Sequence, residues 1–397
     1  MPDYEAWMKL FSIPRPNGSA AERRTERAIT RRLTALGIPY EIHSFRSYPH
    51  IWQCIGLWLI VSRTALVMAV WIGWGWAALL IALLSLPGGI ADVAFHFPLI
   101  SWPGNQPAHN ILLHFSPPRP EQEIILSAHY DTKTEWLDHR QRMFFVKNLP
   151  LGILLTVLLG VLGAMQATLP DNQPSLNEVI AWSSYLLDIP LLFLAWGLGL
   201  HFILGALRKP SQGAVDDGAA CAILLGLAEH YHHNPSALQR TRLTVALFSG
   251  EEINMQGSRA YVQSRNWPLP TAALNLEVMA QNGAYVIWER DGTVFKLRPN
   301  SPAVIEAVSS AVRQVTGETP LLVGPVTSDG GSFSSAGIPA ATLGTYDLKL
   351  RDRGFHCASD HLGRVVMSRL PEAVRIAIRF VEMLDTREFA FPEPTSR

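Results

Sequence analysis

Five short stretches hold side chains that could act together as a catalytic or metal-binding set. Ser127-Ala-His129-Tyr-Asp131 ends an apolar run, and Gly213-Ala-Val-Asp216-Asp217-Gly218 opens a helical pattern. Leu247-Phe-Ser-Gly-Glu251-Glu252 runs from an apolar strand into paired carboxylates. Leu274-Asn-Leu-Glu277 places a carboxylate at another strand end, and Gly354-Phe-His356-Cys-Ala-Ser-Asp360 puts a histidine in a late loop. Each has an ordinary reading alone: His-x-Asp is common, acidic residues at a helix start are N-caps, and adjacent glutamates are usually solvated. Together they set two imidazoles and several carboxylates at successive strand ends, where open α/β sheets bind ligands. Such a mixed nitrogen and oxygen set suits zinc. Beside a metal, adjacent glutamates can divide labour, one binding the ion and the other taking a proton from water. Asp131 is placed to orient the His129 ring.

The elements around these stretches alternate between strand and helix. Ser19 and Glu22 read as a capping box before a helix that stops at Gly37. A strand over Tyr40–Phe45 follows, with further strands at Asn110–Phe115, Glu123–Ala128, Leu243–Phe248, Ala272–Leu276 and Ala340–Leu343. Helical periodicity covers Ala219–His230, Pro302–Thr316 and Ser368–Leu384. That alternation defines an α/β fold.

Two blocks depart from it. Hydrophobic residues make up 48% of the 397 and charged ones only 17%, and the excess sits in Ile51–Leu86 and Leu149–Leu207. At about 20 residues per membrane helix, the first block fits two short spans, with Arg63 at an interface or in the turn between them. Trp52, Trp58, Trp71, Trp74 and Trp76 suit interfacial belts, whereas a buried soluble hairpin is the plainer alternative. The second block divides into Leu149–Leu169, closed by Pro170-Asp171-Asn172, and Val179–Leu207. The segments outside the blocks build one domain only if each block crosses the membrane an even number of times. The expected organisation is therefore a catalytic domain of residues 1-50, 99-147 and 209-397, with transmembrane hairpins inserted at 51-98 and 148-208. Lys147, Arg208 and Lys209 flank the second hairpin on the domain side, so the positive-inside rule puts that domain in the cytoplasm; Arg63, if in the first turn, argues the other way. The polar first fifty residues carry no cleavable signal. Lys+Arg and Asp+Glu both total 33, which gives no electrostatic case for nucleic acid. The three cysteines are widely spaced and make no metal-binding or disulfide pattern.

The order His-x-Asp, Gly-x-x-Asp-Asp-Gly, Gly-Glu-Glu, Asn-Leu-Glu, Ser-Asp…Gly-Ile-Pro-Ala and a late Phe-His resembles metallopeptidase family 28. That family includes co-catalytic zinc aminopeptidases and glutamate carboxypeptidase II. The resemblance covers residues 108–131 and 213–384. It implies a zinc-exopeptidase-like fold, with a mixed, mostly parallel sheet flanked by helices. It further implies two zinc ions: His129 and Glu277 on one, Glu252 and His356 on the other, Asp216 bridging, Glu251 the general base and Asp131 steadying His129. Three positions depart from the family pattern: Glu277 where many members have Asp, Ala220-Cys221 after the bridging acid, and Ser328-Asp329-Gly330-Gly331 without a histidine. Glutaminyl cyclases share the fold with a single zinc, held in that reading by Asp216, Glu252 and His356.

Other candidates have quieter explanations. His230, His232 and His233 fit a solvated helix C-terminus, and His361 a cap near the site. Asp188 and His201 in the last apolar block fit helix pairing better than an ion path, and nothing supports Cys357 as a nucleophile. The expectation is a membrane-embedded zinc aminopeptidase with peptide as its substrate and membrane lipid as its other partner, of unspecified oligomeric state. A single-zinc cyclotransferase and a non-catalytic membrane protein are the alternatives.

Overall fold

The computed structural model describes residues 2–170, 174–293, 295–346, 354–388 and 390–391; Asp171 and Asn172, expected to close the third apolar helix, lie outside them. Its contacts divide the chain into two units, Met1–Ser47 with Gln106–Thr134 and Lys209–Arg397, and Tyr48–Asn105 with Glu135–Arg208. Residues 99–105 and 135–147, grouped by the sequence with the catalytic part, fall in the second unit.

The first unit is built on an eight-stranded sheet. Its strands are β1 (Glu41–Ser47), β2 (Gln106–Phe115), β3 (Gln122–His129), β4 (Thr241–Phe248), β5 (Thr271–Glu277) and β6 (Ala284–Trp288). A small hairpin, β7 (Arg290–Thr293) and β8 (Lys296–Pro299), precedes β9 (Leu321–Val323) and β10 (Ala340–Tyr346). The spatial order is β1-β2-β4-β3-β5-β10-β6-β9. The central run β4-β3-β5-β10 is parallel, β1 and β2 pair antiparallel with their neighbours, and β6 is antiparallel to β10 but parallel to β9. The sheet is thus mixed and mostly parallel at its centre, as expected.

Alternation along the strands sends side chains to two layers. Ile111, Leu113, Ile124, Leu126, Val245 and Leu247 pack in the core that contains residues of the N-terminal helices, α1 (Tyr4–Phe11) and α2 (Ala20–Ala35). Numbering the helices in chain order, α8 (Ala219–His233), α10 (Pro302–Thr316) and α12 (Arg369–Asp385) add their apolar faces to this core. The alternate residues Leu112, Ile125, Ala246, Phe248 and Ala273 pack with Tyr261 and Val262 of α9 (Gln256–Ser264) and Phe333 of α11 (Gly330–Ser335). β3 is buried on both faces, which explains why Glu123–Ala128 reads as a nearly unbroken apolar run.

The second unit contains α3 (Ile51–Trp71), α4 (Gly75–Ala94), α5 (His139–Lys147), α6 (Leu149–Thr168) and α7 (Pro174–Leu204). Four of these helices, all but α5, are long and apolar enough to cross a membrane. Small residues let them approach closely: a Cβ on Gly75 would lie 1.8 Å from the Gly163 carbonyl oxygen, and one on Gly56 2.6 Å from that of Gly199. Leu66, Val67, Leu155, Leu159 and Leu191 fill the interior, while Leu57, Val61, Leu84, Leu186, Ile189 and Phe193 face outward.

The first hairpin turns at Ile72-Gly73-Trp74, not at Arg63. Gly73 takes a φ of +77°, which a residue with a Cβ adopts only under strain. Arg63 instead lies inside α3, buried, with Nη1 donating to Ser62 Oγ at 2.8 Å. The tryptophans divide accordingly. Trp71, Trp74 and Trp76 are exposed around the turn, Trp71 also donating to Asp188 Oδ2, whereas Trp58 donates to the Ser85 carbonyl oxygen. Asp188 therefore ties α7 to α3, and His201 Nδ1 accepts the Leu137 amide at 3.1 Å.

Candidate metal centre

The C-terminal ends of β3, β4 and β5 lie side by side, and the acidic and imidazole side chains gather there. His129 is the last residue of β3 and Glu277 the last of β5, while Glu251 and Glu252 follow β4 after a turn at Gly250. His129 Nε2 stands 3.2 Å from Asp216 Oδ1, 3.6 Å from Glu277 Oε1 and 3.8 Å from Glu251 Oε2. On its other side Asp216 places Oδ2 3.1 Å from His356 Nε2, which is also 2.9 Å from Glu252 Oε1. One carboxylate therefore spans two imidazoles, each with a further glutamate beside it. All seven residues singled out in the sequence converge here.

Local backbone structure holds each group. Asp131 Oδ1 accepts the Gly250 and Glu251 amides at 2.9 and 3.2 Å, and Oδ2 accepts the Glu252 amide at 3.2 Å. Its nearest approach to the His129 ring is longer, 3.6 Å to Nδ1. Asp131 thus clamps the glutamate turn more directly than it steadies the histidine. Asp360, quoted above only as the end of a motif, accepts the Val215 and Asp216 amides at 2.8 and 3.2 Å. Asn254, Met255, Val278, Ala280 and His356 all have positive φ in the loops that follow the glutamates, β5 and Gly354. For a β-branched residue such as Val278 this is a true outlier, and strain of this kind gathers at functional sites.

Four buried groups stand in roles that the sequence reading did not give them. Asp217 accepts the His129 amide at 3.3 Å and the Val278 amide at 3.1 Å, tying the ends of β3 and β5 together. Asp329 is wholly buried, and neither carboxylate oxygen has a hydrogen-bond partner. Glu22, expected to complete a capping box, instead accepts Ser249 Oγ at 2.7 Å, Asn17 Nδ2 at 2.9 Å and the Gly18 amide at 2.6 Å. Only the Ser19 half of the box forms, with Ser19 Oγ accepting the Glu22 amide. Arg15 is the fourth, wholly buried beside the same loops. The quieter histidines stay apart: His233 Nδ1 meets the Glu229 carbonyl within α8, and His361 Nδ1 accepts the Gly363 amide.

So much buried acid moves the titrations. Burial pushes the Glu251 carboxyl well up, and the charges of Glu277, Glu252 and Asp329 add to this against the pull of His129. Burial likewise raises Glu277, and lifts Asp329 to about 8, Asp360 to about 7 and Glu22 to about 8. Burial opposes charging of His129, yet Asp131, Asp216, Glu277 and Glu251 outweigh it and raise its pKa well above the ordinary value. Asp216 moves the other way: burial would raise it, but His129 and His356 hold it well below the usual carboxylate range.

This arrangement fits a divalent cation. Both ring nitrogens of His129 are buried without a hydrogen-bond partner, although carboxylate oxygens surround them. Tetrahedral zinc with bonds near 2.0–2.1 Å separates its ligand atoms by about 3.3 Å. The spacings of 2.9, 3.1, 3.2 and 3.6 Å among His129, Asp216, Glu252, Glu277 and His356 bracket that value. Among the described residues, two groups offer ligand atoms that lie within 4.8 Å of one another: Asp216, Glu252 and His356, and His129, Asp217 and Glu277. Both Asp217 oxygens already hold amides, so Asp216 is the better-placed acid for the His129 side as well.

The sheet order and the acidic set at its strand ends define the zinc-exopeptidase type of α/β fold. The model of peptidase family M28 matches residues 199–381, a little under half of the chain. No curated protein matches the sequence. An aminopeptidase from Aneurinibacillus sp. strain AM-1 superposes with a TM-score of 0.55 at 13% identity, covering 96% of this chain and 92% of that one. A glutaminyl cyclase from Fimbriiglobus ruber gives 0.52 at 13% identity, covering 96% and 95%. A Zn-dependent exopeptidase from Parabacteroides distasonis gives 0.51 at 14% identity, covering 96% of each chain. At these identities the likeness is one of fold.

Proposed function

We propose that this protein is a membrane-embedded, zinc-dependent aminopeptidase that hydrolyses N-terminal peptide bonds. The observation that carries the reading is Asp216 reaching both His129 and His356, with Glu277 and Glu252 completing the two sides. His129, Glu277 and Asp216 would hold one zinc, and Asp216, Glu252 and His356 the second. Zinc so bound supplies acidification of water and polarisation of the scissile carbonyl. Glu251 takes the proton from the attacking water and returns it to the leaving amine. A raised pKa suits that exchange, because the group must both accept and release a proton near neutrality. Asp131 keeps Glu251 and Glu252 in register by gripping three consecutive amides.

Membrane embedding is supported by the four long apolar helices and their outward-facing Leu, Ile and Phe side chains. Four crossings return the chain to the side from which it started. Lys147, Arg208 and Lys209 favour the cytoplasm for the catalytic unit. Peptide and lipid are then the two partners. A glutaminyl-cyclase-like reaction at a single zinc is the second reading, favoured by the cyclase among the structural relatives.

Zinc analysis separates the two: about two ions per chain supports the peptidase and about one the cyclase. Glu251→Gln is expected to retain zinc and lower turnover of aminoacyl substrates by about 10²–10⁴-fold. Undiminished turnover in that variant removes Glu251 from its role.

A further inference from the structure

Arg15 sits between two prolines, far in sequence from every motif, yet it is completely buried. Its guanidinium makes no ion pair among the described residues; each hydrogen bond goes to a backbone carbonyl. Nε donates to Tyr130 O at 2.7 Å and Nη2 to Gly213 O at 2.9 Å. Nη1 meets the carbonyls of Phe11, Ile13 and Gln212 at 2.5, 2.8 and 2.7 Å. The Arg15 amide donates to Thr132 Oγ1, and its carbonyl accepts the Thr132 amide.

Those carbonyls belong to the loops that carry the candidate ligands. Tyr130 follows His129 directly, and Gln212 and Gly213 lead into Asp216. The packing leaves little slack: a Cβ on Gly213 would lie 2.2 Å from Thr132 Cγ2 and 3.1 Å from Arg15 Nη2. A rigid planar fork can hold several carbonyls at fixed separations, which a lysine ammonium cannot. We propose that Arg15 is a positioning residue for the metal centre, setting the distance between the His129 and Asp216 loops so that both side chains face one ion. This inference rests on reading the site as a metal centre.

Geometry and charge predict opposite signs here. A buried cation near Asp131, Asp217 and Asp360 opposes the binding of another cation, so if charge alone mattered its removal would tighten zinc binding. If Arg15 acts as a clamp, removal weakens it. The test uses the full-length protein, titrated with zinc against a chelating dye and with cobalt by visible absorption. Arg15→Gly should bind zinc about 10–100-fold more weakly, the usual cost of losing an outer-sphere support. Millimolar methylguanidinium should restore affinity and the cobalt spectrum, whereas ammonium at the same concentration should not. Unchanged or tighter binding overturns the proposal, as does a loss in folded protein that methylguanidinium does not repair. If Arg15→Gly does not fold, Arg15→Lys keeps the charge without the fork; weakened binding there supports the clamp and wild-type binding refutes it. Failure of the wild-type protein to bind zinc would instead sink the metal-centre reading, and this inference with it.

Discussion

Replacing Asp131 by asparagine changes one atom in a clamp that holds three amides. With its carbonyl oxygen kept toward Gly250 and Glu251, the new side chain would turn its amino group toward the Glu252 amide, donor against donor. A buried donor left without an acceptor costs about 1–3 kcal/mol. The two surviving hydrogen bonds lose their charge and roughly half their strength, about 1 kcal/mol more. The sum, about 2–4 kcal/mol, falls on the turn that presents Glu251 and Glu252. Relief of repulsion with Glu22 and Asp329, whose carboxyls Asp131 helps to raise, offsets part of it but gives the Glu252 amide no acceptor. Zinc affinity is expected to drop about 10–100-fold, with a lower melting temperature for the zinc-free protein. Asp131→Ala, which orphans all three amides, should be worse on both measures. Zinc titration and thermal unfolding of the three proteins side by side decide the matter. An Asp131→Asn variant matching wild type in both would show that Asp131 does not hold the turn.

Two further perturbations test neighbouring parts of the site. Asp291 accepts the Gly292 and Ser328 amides and the Ser328 and Thr342 hydroxyls, yet burial outweighs these bonds and lifts it to about 7 from 3.8. The folded state then holds the proton more tightly than the unfolded one. The resulting stability, on the order of 4 kcal/mol, is complete below pH about 4 and lost as pH rises through about 7. Asp291→Asn should flatten that part of the stability profile in thermal melts from pH about 4 to about 8, and an unaltered slope would remove Asp291 as its source. A Cβ on Gly257 would lie 2.1 Å from the Ser249 carbonyl and 2.5 Å from Asn110 Oδ1. Gly257→Ala should therefore force α9 off the turn behind Glu251, destabilising the fold by about 1–3 kcal/mol and weakening zinc binding. Wild-type melting and zinc affinity would show that the contact relaxes without consequence.

The site residues were legible because their chemistry is carried by type and order: two histidines and five acids, most of them at or just past the end of an apolar run. The structure gathers all seven. Asp217, Asp360 and Glu22 were not legible in their actual roles, because short-range patterns describe them just as well. A second acid at a helix start looks like an N-cap, and Glu22 matches a capping box whose second half does not form. Their partners, Val278, Val215 and Ser249, are supplied only by the fold. Arg15 gave a single weak signal, an arginine held between prolines near a helix end. The apolar blocks announced four helices by composition alone. Their first turn was not legible: Arg63, open between an interface and the turn, marks the least apolar point, whereas Gly73 supplies the backbone freedom that a turn needs. The burial of Arg63, Asp188 and His201 among the helices depends on neighbours that no local window contains.

The second helical insert, Glu135–Arg208, begins soon after His129 and Asp131 and ends shortly before Asp216. A chain made from its N-terminus cannot bring the first imidazole to its bridging carboxylate until both long helices of that insert have been synthesised. The two halves of the centre are separated in time as well as in sequence, so a truncated or stalled chain carries His129 with no site to join. Assembly of the candidate site around Asp216 is thus a late event in the life of the polypeptide, and its appearance marks a chain whose helical insert is already complete.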